Sequence, residues 1–298
     1  MASSPTTTTV LEQKTNSLKL TLDHPIPSGD TAAEITFFKD PEDGSTPFYY
    51  VYSPPEGQPQ TNIGSETLKV TIQDIRGKES TFSVDSSGFV ALENIPSKLV
   101  YEDWENDDII KKNYYPEIEK LLLDNLIGAN RVFIFDHTIR RTTPLPNTSP
   151  ADVRQPVMRA HIDQTGQATL NRVRYHLPEE ADELLKGRVR IVNVWRPLKG
   201  PIRAFPLAMA DSRTVGFNDL TAVEHRYPDR TGWTVGVRHR PAQKWWYWSG
   251  MKEHERILLQ CFDSHGSQAR VAHTAFEHPE SLPEDGRESI EVRALIFG

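Results

Sequence analysis

The sequence predicts a mainly β fold, a sandwich or barrel with a few supporting helices. Two observations carry this expectation. Short period-two runs follow one another through the C-terminal half, and Pro and Gly clusters separate them. A third observation sets the scale. The chain has 298 residues, 37% hydrophobic and 25% charged, ordinary values for a globular chain long enough to bury a core without staples.

Residues 1–16 are rich in Ser and Thr and read as a mobile tail. The runs Glu34–Phe38, Pro47–Tyr52 and Leu68–Ile72 read as strands of an N-terminal extension covering residues 17–150. One helical stretch begins near Asp107 and continues through Pro116–Leu126. Within it Ile118, Leu121, Leu122 and Leu126 keep the i, i+3, i+4 spacing, and Gly128 offers a stop. Val132–Phe135 follows as a buried strand ending at Asp136 and His137.

From residue 151 the strands come in close order. They are Val157–Ile162, Ala168–Tyr175, Arg188–Trp195, Phe205–Ala210, Thr234–His239, Trp245–Trp248, Ile257–Phe262, Arg270–Ala275 and Ser289–Phe297. Met251 and Glu255 read as a helix start, and Cys261 as a core residue. No long linker interrupts the chain. Residues 17–298 therefore read as one domain, with the extension packed on a core of residues 151–298.

Composition removes several function classes. The net charge of -7 speaks against a nucleic-acid binder. Lys186–Arg203 holds six basic and no acidic residues, but its alternation looks interior. A single cysteine excludes a disulfide framework and a thiolate zinc cluster within one chain. No apolar run approaches the ~20 residues of a membrane span. The N-terminus lacks the basic start and apolar block of a signal peptide. The expectation is a soluble cytoplasmic protein, for which a homodimer is the common assembly.

Glycine-rich nucleotide loops, a G-x-S-x-G elbow and H-E-x-x-H are all missing from the sequence. What remains is a histidine and carboxylate pattern. His161-Ile-Asp163 would place an imidazole and a carboxylate on one face of a strand. A distant histidine would complete the two-histidine, one-carboxylate triad that binds Fe(II) with open positions. Ten histidines make one chance H-x-[DE] unremarkable, and a strand-end histidine bonded to its neighbour is the alternative.

Near the C-terminus stands His273, with His265 and His278 as rival distal ligands. Fourteen residues later Arg287, Ser289, Glu291 and Arg293 share one face of a strand. An arginine buried in a barrel needs an anion, and the far carboxylate of 2-oxoglutarate suits a guanidinium fork. The alternative is an exposed strand with surface ion pairs such as Arg287 with Glu291.

Several segments are familiar together: Tyr114–Glu117, Phe135–Arg140, His161–Gln164, Asn193–Leu198, Cys261–Ser264, His273–Phe276 and Arg287–Arg293. They resemble the AsaB/CmcJ-like, or gibberellin-desaturase-like, oxygenases of fungal and bacterial secondary metabolism. The resemblance covers residues 100–298. It implies a double-stranded β-helix, that is, a jelly-roll or cupin-like barrel. It also implies an Fe(II)- and 2-oxoglutarate-dependent dioxygenase. Such an enzyme uses dioxygen to hydroxylate, desaturate or rearrange a small-molecule substrate.

In that reading His161, Asp163 and His273 hold the iron. Arg287 with Ser289, or else Arg293, clamps 2-oxoglutarate. Trp195, Arg196 and Trp246 are candidate substrate-pocket residues, with core packing as the alternative for each tryptophan. A cupin-type metalloenzyme without 2-oxoglutarate and a non-catalytic ligand-binding barrel are the competing readings.

Overall fold

The computed structural model describes residues 24–142, 153–266, 269–282 and 284–298. The tail expected at 1–16 lies outside them. Fourteen strands are present among the described residues. They are β1 (Thr31–Lys39), β2 (Phe48–Tyr50), β3 (Gly64–Asp74), β4 (Phe89–Leu92), β5 (Arg131–Arg141), β6 (His161–Ile162) and β7 (Val189–Pro197). The rest are β8 (Leu207–Ala210), β9 (Leu220–Arg226), β10 (Thr231–Val237), β11 (Trp245–Tyr247), β12 (Arg256–Asp263), β13 (His273–Ala275) and β14 (Glu288–Phe297).

They form two sheets. The larger runs β1-β3-β11-β8-β13-β6-β10-β9-β2, the smaller β4-β12-β7-β14-β5. Leu207 and Met209 of the larger sheet share a core with Trp195, Ile257 and Leu259 of the smaller one. This is the jelly-roll arrangement. Residues of the expected N-terminal extension are woven into it: β1, β2 and β3 enter the larger sheet, and β4 and β5 the smaller.

Strand β7 is buried along its whole length because both of its faces are covered. Ile191, Asn193 and Trp195 face inward. Val192 and Val194 lie under the helical segment instead. That segment contains α1 (Tyr115–Asn125), which has Pro116 in its first turn. Its Ile118, Leu121 and Leu122 pack on Val192, Val194, Leu258, Ile290 and Val292. The helix ends before Gly128, which adopts a positive φ of 78° in the following turn. Ahead of α1, residues Ile110–Tyr114 form a wider π turn.

Three expectations change, and one strand is added. Ala168–Tyr175 is not a strand but part of helix α2 (Gly166–His176). Thr165 caps that helix by accepting from the Ala168 amide, and Thr169 and Val173 bury one face at i, i+4. Met251 and Glu255 begin no helix. The buried Glu255 instead takes a 2.6 Å ion pair from Arg76 and holds the Lys252 amide in a turn. Strand β5 runs on past Asp136 and His137 to Arg141, because β14 pairs with it along its length. β9 carries no clear strand signal in the sequence, since Leu220–Arg226 mixes polar and apolar residues on half-buried positions.

Arg188 and Arg190 of the basic stretch are paired or buried. Arg188 bonds Asp263 at 2.6 Å, and Arg190 donates to the Gly298 carbonyl. No helix among the described residues is long and apolar enough to cross a membrane.

Candidate metal centre

Strand β6 presents His161, and the chain bends immediately after it to bring Asp163 alongside. Strand β13 pairs antiparallel with β6 so that His273 sits directly opposite His161. Their rings are 4.5 Å apart. One ligand atom from each of His161, Asp163 and His273 lies within 4.8 Å of the others. His265 and His278 take no part in this group. His278 is buried beside Tyr247 and accepts from the Glu280 amide.

The imidazoles are oriented by backbone. His161 Nδ1 donates to the Arg159 carbonyl at 2.8 Å, and His273 Nδ1 to the Val271 carbonyl at 3.2 Å. A carbonyl only accepts, so each Nδ1 carries a proton and each Nε2 is the ring nitrogen turned toward the other members of the group. Burial pushes His273 down to about 4, and the neighbouring His161 adds to that shift. Burial works against the charge on Asp163, yet His161 and Arg293 hold its carboxyl well below the usual range. A donor set of two imidazoles and one carboxylate fits a divalent first-row metal with open positions.

Around these groups a polar frame fixes Asp163. Asn193 Nδ2 donates to Asp163 Oδ2 at 2.7 Å and to Glu291 Oε1 at 2.9 Å. Burial and the nearby Asp163 raise the Glu291 carboxyl above its ordinary value.

A partly open cavity is lined by the two histidines. Trp195, Arg287, Ser289 and Glu291 line it, together with Thr138 and Arg140. The two candidate clamp arginines differ sharply here. Arg293 is engaged: it bonds Asp136 at 2.6 Å and Thr138 at 2.7 Å, with Asp163 3.8 Å away. Arg287 is only 2% exposed and has no acidic partner among the described residues. Its Nη1 donates to the Phe205 carbonyl at 2.7 Å, its guanidinium lies 5.5 Å from the Trp195 ring, and its Nε has no partner among the described residues. Phe205 itself holds a left-handed φ of 51°, a strained backbone that aims its carbonyl at Arg287. Burial, then repulsion from Arg140, brings the Arg287 guanidinium down to about 9.

Two expected pocket residues turn away. Arg196 follows Trp195 on β7 and so points to the opposite face, 4.9 Å over the Trp104 ring. Trp246 packs edge-on against Phe82 at 5.0 Å, and it does not line the cavity. Trp195 does line it. Sequence reasoning missed Asn193 and Arg140 as site residues. Asn193 was signalled by its position two residues before Trp195 on the same strand face, and Arg140 by its place in the Phe135–Arg140 segment.

Comparisons with known proteins identify the relatives of this chain. A family model described as an oxidoreductase/YMDC permease-like domain matches residues 35–297. The chain is 35% identical over 312 residues to the hydroxylase/desaturase poxK of Penicillium oxalicum, covering 92% of this chain and 93% of that protein. It is 32% identical over 273 residues to the Fe(II)/2-oxoglutarate-dependent dioxygenase nvfI of Aspergillus novofumigatus, covering 89% and 96%. The solved structure of the iron and alpha-ketoglutarate-dependent endoperoxidase NvfI superposes with a TM-score of 0.80 at 30% identity, over 91% of this chain and 98% of that one.

The protein is thus an oxidoreductase of the non-haem Fe(II)- and 2-oxoglutarate-dependent class. Among jelly-roll enzymes it belongs to the family of fungal hydroxylase/desaturases and dioxygenases that includes poxK and nvfI.

Proposed function

We propose that His161, Asp163 and His273 hold Fe(II), and that Arg287 with Ser289 holds the far carboxylate of 2-oxoglutarate. The observation that carries this reading is a buried cation without an acidic partner, in the same cavity as a compact two-histidine, one-carboxylate group. Iron chelated by 2-oxoglutarate supplies, with dioxygen, the oxidising power to remove hydrogen from an aliphatic C–H bond.

The chain's own residues position and shield. The two Nε2 atoms and one Asp163 oxygen converge on one point because backbone carbonyls lock both rings and Asn193 locks the carboxylate. Arg287 offers an Nε without a partner among the described residues, and Ser289 lines the same cavity. Trp195, Val157, Leu207 and Ala275 give the cavity apolar walls that exclude water. The substrate in this reading is a small molecule of secondary metabolism, entering through the open side. The compartment is the cytoplasm, in keeping with the single free, buried Cys261.

Anaerobic titration with Fe(II) and then 2-oxoglutarate tests this. A weak visible charge-transfer band is expected, lost in His161→Ala and weakened in Arg287→Ala. Iron binding without a band would point to a metalloenzyme that does not use 2-oxoglutarate. Absence of iron binding would leave a ligand-binding barrel.

A further inference from the structure

The cavity contains a second cation that the reading above does not use. Arg140 lies on β5 directly opposite Ser289 of β14 in the antiparallel register, so the two side chains share the inner face. It lines the same cavity as Arg287 and Ser289. Its one side-chain hydrogen bond among the described residues goes to a neutral group, the Gln155 carbonyl, 2.8 Å from Nη1. No carboxylate pairs with it among the described residues.

Neighbouring arginines are satisfied differently. Arg141 points the other way and takes Glu288 at 2.9 Å. Arg293, two rows further along the sheet, takes Asp136. Arg140 and Arg287 are left as two cations lining one cavity, close enough that Arg140 lowers the pKa of Arg287. Two like charges brought together in a partly desolvated space repel, and an anion between them converts that repulsion into two attractions.

We propose that Arg140 is a second clamp for 2-oxoglutarate, so that its far carboxylate is held between Arg287 on the inner side and Arg140 on the other, with Ser289 beside both. This rests on the assignment of the cavity as the cosubstrate site. The clamp serves selectivity as well as affinity. A 2-oxo acid without the far carboxylate leaves both guanidinium groups facing an uncharged chain end, and the enzyme discriminates against it. Arg140 therefore acts on the dicarboxylate and not on the metal or the organic substrate.

The test is an anaerobic titration of the Fe(II)-loaded full-length protein, read by the charge-transfer band. The probes are 2-oxoglutarate and 2-oxopentanoate, which keeps the chelating end and lacks the far carboxylate. In Arg140→Gln the affinity for 2-oxoglutarate is expected to fall about 10- to 100-fold. Affinity for 2-oxopentanoate is expected to stay within about twofold, with one Fe(II) still bound. Arg140→Lys keeps the charge without the fork and is expected to fall between wild type and Arg140→Gln for 2-oxoglutarate alone.

Unchanged 2-oxoglutarate affinity in Arg140→Gln would overturn the proposal. Equal weakening of both probes would also overturn it, by placing the effect at the metal end or in the fold. If the wild-type protein itself binds Fe(II) without any band, the cosubstrate reading of the cavity fails instead. That outcome differs from a variant-specific result.

Discussion

Asn193 Nδ2 donates to Asp163 Oδ2 at 2.7 Å, and the same nitrogen reaches Glu291 at 2.9 Å. The amide is thereby fixed in one orientation, because turning it over would set its oxygen against two carboxylate oxygens. Asp163 Oδ1 is left on the side of His161 Nε2, 3.3 Å away. The orientation of the Asp163 carboxylate is set from strand β7, thirty residues along the chain.

Removing this bond has a defined cost. In Asn193→Ala we expect Fe(II) affinity to fall about 10- to 100-fold, the usual effect of losing an outer partner of a ligand. Far-UV circular dichroism should be unchanged. Metal titration with the variant measures the effect directly, and wild-type affinity would show that Asp163 orients without Asn193.

Arg196 provides the contrast. It is 3% exposed, has no acidic partner among the described residues, and lies over Trp104 on the face away from the cavity. Burial brings its guanidinium down to about 10. Replacing a buried charge by an apolar side chain of similar length is neutral or stabilising. Arg196→Met is expected to keep the 2-oxoglutarate band and to hold or raise Tm. A weakened band would mean that this face communicates with the cavity.

Asp74 sets a limit on acid stability. Burial raises its pKa, but the amides of Ser249, Arg76 and Gly29 donate to its carboxylate and bring it below the ordinary 3.8. A depressed folded pKa gives stability that is present above 3.8 and is lost as pH falls through the lower folded value. The prediction is a Tm that drops on acidification below this point, with a shallower drop in Asp74→Asn. That variant should also be less stable at neutral pH.

Leu122 tests the outer layer. It is fully buried between α1 and the smaller sheet. Leu122→Ala removes that packing and leaves a cavity, at a cost of about 2–5 kcal/mol. Denaturant unfolding checks this. The iron and 2-oxoglutarate titrations should be unaffected in the folded variant, since the cavity lies on the other face of the sheet.

Cys261 is fully buried in the inner core. The native protein is expected to be inert to thiol reagents and to react with one equivalent only on unfolding. Fast labelling of the folded protein would contradict the burial.

Much of this architecture is written locally. Alternation in Arg188–Trp195 and Ser289–Phe297 reveals two strands and also which side chains go together: Arg287, Ser289, Glu291 and Arg293 on one face. The same rule, applied strictly, separates Arg196 from Trp195, since adjacent residues on a strand face opposite ways. Ala168–Tyr175 reads as a strand and folds as a helix, because a short polar run carries little periodic signal. There the Thr165 cap and the burial of Val173 decide for a helix.

The sequence by itself determined a β-rich chain, the H-x-D pair at His161 and Asp163, and the set of C-terminal residues that share a face. Tertiary structure alone decided that His273 meets His161 across β6 and β13, 112 residues apart, and that His278 does not. It alone decided which arginines are spent. Arg293 finds Asp136 on a neighbouring strand, whereas Arg287 and Arg140 find only carbonyls. The physical reason is that periodicity fixes the direction of a side chain relative to its own strand. Which partner it meets depends on strand pairing between distant segments, and no local pattern encodes that register.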